Sequence, residues 1–84
     1  MMTETELKAA HKHCTSNIKE LRKSKLCGCF YCEKIFDPNE ITEWIQDSDL
    51  TAVCPYCDID SVIGDASGIP ITKKFLKEMY KYWF

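Results

Sequence analysis

A small α+β domain, stapled at its centre and flanked by a helix at each end, is the fold class this sequence predicts. Three observations predict it. Two Cys-x-x-Cys hooks, Cys29-Phe30-Tyr31-Cys32 and Cys54-Pro55-Tyr56-Cys57, stand with 21 residues between them. Outside the hooks, apolar residues recur at the three- and four-residue spacing of amphipathic helices. Finally, 84 residues make a single domain. A chain this short buries only about 60% of its unfolded surface, so its core needs a cross-link.

The hooks supply one. Four thiolates close a tetrahedral shell around Zn²⁺ and leave no open position for a reacting ligand, so the expected site is structural. Paired hooks of this kind usually stand about 15–20 residues apart, and this gap is slightly longer. The predicted ligands are Cys29, Cys32, Cys54 and Cys57. Iron in the same four-sulfur shell is the rival, because ligand number does not separate the two metals. Six cysteines could instead form three disulfides, which requires an oxidising compartment. Residues 1–6 show neither the basic start nor the apolar core of a signal peptide. No run approaches the ~18 apolar residues of a membrane span. The expectation is therefore a cytoplasmic metal protein with no membrane partner.

Cys27-Gly28-Cys29 offers a shorter C-x-C pair, but Cys29/Cys32 matches the second hook in spacing. Cys27 is accordingly expected to be a packed thiol, with a resolving thiol beside the metal as its alternative role. Cys14 lies on an apolar helical stripe and is expected to be a small buried side chain.

The elements follow in order. Thr3 with Glu6 fits a capping box, and Leu7, Ala10, Cys14, Ile18 and Leu21 form one stripe, so a single helix is predicted to about Lys23. Residues 1–26 make up this N-terminal helical segment. Residues 27–65 form the metal-binding centre, a zinc ribbon or treble-clef-like arrangement. In it, Ile35 and Phe36 form a short strand after the first hook. Asp37, Pro38 and Glu40 read as N-cap, N1 and N3 of a short helix to about Gln46, with Ile41, Trp44 and Ile45 facing inward. Residues 47–49 form a turn, and residues 51–53 a strand. Asp58 stands where a knuckle often needs positive φ, which Asp tolerates better than most residues. Residues 59–64 fit either a strand or a helical turn. Residues 66–84 form the C-terminal segment: a loop, an extended Ile69-Pro70-Ile71, and a helix capped by Thr72. The apolar face of that helix comprises Phe75, Leu76, Met79, Tyr80 and Trp83. Leu7, Ile18, Leu21, Phe75, Met79 and Trp83 are expected to dock the outer helices on the centre.

The net charge of −2 conceals a strong segregation. Residues 1–26 carry six Lys/Arg against three acids, residues 27–65 one Lys against nine acids, and residues 66–84 four Lys against one Glu. Basic helices docked on an acidic metal-binding body explain this pattern. The alternative is a basic face for nucleic acid, but such a footprint usually leaves the whole domain basic.

Catalytic groups are sparse. His11, His13 and Asn17 lie on the first helix, where two surface histidines are the plain expectation. A His-Asn-His nuclease on a two-hook scaffold needs a histidine between the hooks and another near the second. Neither region contains one. Asp58, Asp60 and Asp65 could gather around a cation, but turn and cap roles explain each separately. Ser61 has no histidine nearby in sequence. There is no Gly-rich phosphate loop.

The strings CGCFYC at 27–32, EITEWI at 40–45, TAVCPYC at 51–57, IDSVIG at 59–64 and GIPITKKFL at 68–76 resemble a family of small bacterial zinc-ribbon proteins labelled "cytoplasmic protein". AHKH at 10–13 fits as well, so the resemblance covers most of the chain. It implies a stand-alone bacterial or phage-borne zinc ribbon and supplies no activity. Asp58 departs from it, since Gly is expected after the second hook. That departure bears on the knuckle backbone and leaves the ligand set intact.

The leading functional expectation is a non-catalytic zinc-binding interaction module, a regulator or adaptor. It would meet a protein partner or a second copy through its basic and aromatic helices, including Lys81-Tyr82-Trp83-Phe84. A zinc-thiolate redox sensor or a nucleic-acid-binding ribbon is the alternative.

Overall fold

Thr3 starts the first helix as its capping box requires. Its side chain accepts from the Glu6 N–H while the Glu6 carboxylate accepts from the Thr3 N–H. The computed structural model describes residues 2–84, and in it α1 runs Glu4–His11 and α2 runs Ile18–Lys23. The single helix expected to Lys23 is thus two helices, separated by a 3₁₀ turn at Lys12–Cys14 and a break at residues 15–17. Ser16 adopts φ 48°, a left-handed conformation that no helix accommodates. Polar side chains compete here for backbone hydrogen bonds. The Ser16 N–H donates to Thr51 Oγ1 at 2.7 Å. Asn17, only 3% exposed, bonds the His13 and Val62 carbonyls through Nδ2 and accepts from the Ala52 N–H through Oδ1. The break therefore fastens both helices to the strands, and Leu7, Ala10, Cys14, Ile18 and Leu21 are all still buried.

A three-stranded antiparallel sheet forms the middle of the molecule, in the order β2 (Ile35–Phe36), β1 (Cys27–Cys29), β5 (Val62–Gly64). The 59–64 segment thus resolves as a strand at its second half. Side chains alternate across it, as the period of two demands. Gly28 pairs with Ile63, whereas Cys27 and Cys29 pair with Gly64 and Val62. The Gly28 side of the sheet receives α3 (Lys73–Trp83), and a Cβ at Gly28 would lie 2.8 Å from Leu76 Cδ1. On the Gly64 side an added Cβ would collide with Ser24 Oγ and lie 2.9 Å from Leu21 Cδ2, at the end of α2. The two glycines let helices approach opposite sides of one narrow sheet.

The helix expected from Asp37 to Gln46 is one 3₁₀ turn, Pro38–Glu40, capped by Asp37 and Glu40 as anticipated. Trp44–Gln46 is instead β3, hairpinned through residues 47–49 to β4, Leu50–Ala52. The β-branched residues Ile41, Thr42 and Ile45 disfavour continuing the helix, and β4 offers a cross-strand partner. Ile41 is buried as expected, but Ile45 is half exposed.

In α3, Thr72 Oγ1 accepts from the Phe75 N–H, and Phe75, Leu76 and Met79 are buried. Full burial of such a side chain stabilises by roughly 1.5–3 kcal/mol. Tyr80 and Trp83, placed on the same apolar face by the sequence, are each 37% exposed. Trp83 still docks, donating its indole N–H to the Leu7 carbonyl at 3.4 Å. Helices thus stand at both ends of a small α+β domain, with one core under α1 and α3 and a second around the cysteine hooks.

Candidate metal centre

Each hook sits in a turn built to the same pattern. In the first, the Glu33 N–H donates to the Cys29 carbonyl at 2.8 Å and the Cys29 N–H to the Lys34 carbonyl at 3.0 Å. In the second, the Asp58 N–H donates to the Cys54 carbonyl at 3.0 Å and the Cys54 N–H to the Ile59 carbonyl at 2.9 Å. In both, the N–H two residues on, from Tyr31 or Tyr56, points at the first sulfur from 3.4 Å. Closing this turn requires positive φ after the second cysteine, and Glu33 and Asp58 adopt 63° and 64°. Asp58 thus takes the positive φ expected of it, and Glu33 meets the same demand in the first hook.

The hooks face each other. The Sγ atoms of Cys29, Cys32, Cys54 and Cys57 all lie within 4.8 Å of one another. Cys29 and Cys57 are 3.5 Å apart, Cys32 and Cys54 3.7 Å. A disulfide needs about 2.05 Å, and all six cysteines are free thiols. A tetrahedron of sulfurs about 2.3 Å from a central ion has edges of about 3.8 Å, close to these separations. The four cysteines can therefore hold a metal ion, with two soft donors from each hook. The shell is lopsided: Cys29 and Cys54 are buried, while Cys32 and Cys57 are half-buried.

Electrostatics without a cation point the same way. Burial pushes the Cys54 thiol up to about 11 despite the backbone N–H groups aimed at it, and burial pushes Cys57 up as well. At Cys29 burial also opposes ionisation, but the Ser61 hydroxyl and the N–H groups of Cys32 and Tyr31 outweigh it and hold the thiol low. Ser61, 2% exposed and 3.0 Å from Cys29 Sγ, is a participant that the sequence did not reveal. It acts as a hydrogen-bond partner of the sulfur. Several crowded thiolates need a cation, which a metal held at this site would supply.

The other candidates do not join this centre. Cys27 is fully buried and donates its thiol to the Phe36 carbonyl at 3.4 Å. Cys14 is 3% exposed, with His11 Nδ1 4.0 Å from its sulfur. His11 packs against Trp83, ring centroids 4.1 Å apart, and His13 bonds Glu20 at 2.9 Å. Asn17 is the structural clasp described above. Asp65 accepts from the Lys25 N–H, and Asp58 occupies its knuckle position. Among the described residues, the four hook cysteines are the one group of three or more His, Cys, Asp or Glu side chains that converges tightly enough for a metal.

Fold and site together define a small α+β domain with a four-cysteine centre able to hold a metal ion. Protein-family models, curated proteins and solved structures provide no significant match to the chain. Among the described residues, no helix is long and apolar enough to cross a membrane.

Proposed function

We propose that this chain is a non-catalytic, zinc-stapled interaction module that serves a protein partner as a regulator or adaptor. The observation that carries the reading is the convergence of the Cys29, Cys32, Cys54 and Cys57 sulfurs within 4.8 Å of one another, which would close a four-thiolate shell around one ion. Such a shell has no open coordination position at which substrate could meet the metal. Neither pair lies on a helix, which supports a two-knuckle ribbon over a treble clef. Zinc is preferred for its fit to a tetrahedral all-thiolate site, and iron is the competitor. The buried, hydrogen-bonded thiol of Cys27 favours packing over a resolving role in a redox switch.

Native mass spectrometry of the purified protein tests the reading. One zinc per chain is expected. Cys29→Ser or Cys54→Ser should lose it, and Cys27→Ser should keep it. A chain that stays folded and metal-free, or a Cys27→Ser variant that loses its ion as readily as Cys29→Ser, would overturn the assignment. Iron in place of zinc would show in the visible absorption of the sample and would correct the metal alone.

A further inference from the structure

The two knuckles are alike in backbone but not in what surrounds their tyrosines. Tyr56 of the second knuckle is engaged by residues that follow the first. Its hydroxyl donates to Glu40, and Lys34 Nζ lies 4.5 Å from the ring centroid. Tyr31 of the first knuckle leans instead on the end of α3. Its ring lies 4.9 Å from Phe84, edge-on, and 5.8 Å from Tyr80. Tyr80 and Phe84 themselves are 5.6 Å apart. Tyr31, Tyr80 and Phe84 are 42%, 37% and 57% exposed, so three touching rings present apolar surface to solvent. Exposed aromatic side chains gathered in one place supply the kind of anchor surface on which interfaces are built.

Helical geometry places cations beside it. At 3.6 residues per turn, Lys73, Lys77, Tyr80 and Lys81 fall within one stripe of α3 about 100° wide, and Phe84 follows as the C-cap, its N–H bonded to the Tyr80 carbonyl. Lys73 is committed to the knuckle, donating to the Glu33 carbonyl at 2.8 Å. Among the described residues, Lys77 and Lys81 form no ion pair. An apolar centre with a cationic border has the composition of a protein-binding site: aromatic anchors in the middle, charge at the rim. The rings meet one another at tilted and edge-on angles. They form one continuous surface, unlike the separately spaced faces on which successive bases of a single strand stack.

We propose that Tyr31, Tyr80 and Phe84, rimmed by Lys77 and Lys81, bind a short acidic segment of a partner protein through an aliphatic or aromatic anchor residue. The proposal rests on the module reading above and names the chemistry of its partner. The anchor desolvates the ring cluster, while the lysines steer the acidic flank and fix its direction.

The test is selection from a random-peptide display library against the full, zinc-loaded chain, followed by binding measurements on synthesised winners. The winners should combine Asp or Glu with Phe, Leu or Trp. Tyr31→Ser with Phe84→Ser should weaken their binding by ~10-fold or more, on the scale of an interface anchor. Lys77→Glu with Lys81→Glu should slow association and reduce it further at low salt. Ile45→Ser, an exposed apolar change on the β3 strand, should leave binding unchanged. Each variant is first checked for retained zinc. Winners without acidic-apolar character, or binding indifferent to Tyr31 and Phe84, overturn the proposal. So does tighter binding of oligo-dT, or self-association in the ultracentrifuge that the ring variants abolish. A zinc-loaded chain with no such peptide refutes this inference alone, whereas a chain without zinc refutes the module.

Discussion

Glu33 and Asp58 occupy equivalent positions one residue beyond their hooks, at φ 63° and 64°. Their side chains suit that conformation unequally. Asp visits the left-handed region with local hydrogen bonding, whereas Glu bears the ordinary steric cost of about 1–2 kcal/mol. Glu33→Gly is therefore expected to stabilise the metal-loaded protein by about 1 kcal/mol, part of the relief being offset by glycine's entropy when unfolded. Asp58→Gly should gain less. Denaturant midpoints of the two variants, measured at saturating metal, check the order. A second expectation at this scale concerns the thiols outside the centre. Burial pushes Cys14 up to about 11 and Cys27 up to about 12, from an ordinary 9.0. Above about pH 9 the unfolded chain releases these protons while the folded chain retains them, so the unfolded state gains as pH rises. Stability should be flat in this respect below pH 9 and fall through the range from about 9 to 12. Cys14→Ala should flatten that alkaline limb at some cost in stability at neutral pH.

At the scale of elements, the decisive feature is the break between α1 and α2. Asn17 bridges the two strand systems there, with Nδ2 on the Val62 carbonyl at 2.8 Å and Oδ1 on the Ala52 N–H at 3.1 Å. Asn17→Ala would leave a buried carbonyl and a buried N–H without partners. An unsatisfied buried group costs about 1–3 kcal/mol, so a loss of roughly 2–4 kcal/mol is expected in chemical denaturation. Because the side chain touches no sulfur ligand, zinc stoichiometry should be unchanged. A loss below about 1 kcal/mol would mean that water replaces the amide there and that the clasp is not structural. The β3–β4 hairpin matters in the same way: its last residue, Ala52, is the one Asn17 holds, so strand pairing and helix docking are coupled.

For the molecule as a whole, a narrow sheet and two modest cores leave a metal held by the four cysteines, as proposed above, the main source of stability to be expected. Structural zinc in finger peptides contributes about 10–16 kcal/mol of apparent binding energy near neutral pH, much of it as folding energy. The thiols of Cys54 and Cys57, raised by burial in the absence of a cation, hold protons that a metal must displace. The metal-loaded state therefore binds fewer protons, and its advantage is lost as pH falls. Zinc release, followed with a chromophoric chelator from about pH 7 to about pH 4, should be steeper than one proton and accompanied by loss of the folded circular-dichroism signal. Release without unfolding would show that the cores suffice alone.

The pairing of the two cysteine hooks and the caps at Thr3, Asp37 and Thr72 were legible in the residues, as were the buried stripe from Leu7 to Leu21 and the positive φ at Asp58. Each depends on spacing or on chemistry within a few positions of the chain. Other features came from partners distant in sequence. Asn17 broke a periodic helix because β4 and β5 supplied hydrogen bonds 35 and 45 residues away. Trp44–Gln46 became a strand because Leu50–Ala52 paired with it. Ser61 reached Cys29, and Tyr31 met Tyr80 and Phe84, only after the sheet and α3 had assembled. Local sequence fixes what a segment can cap, turn or ligate. Which long-range partner desolvates and bonds it is set when the chain packs, and this determined both the break in the helix and the exposed aromatic surface.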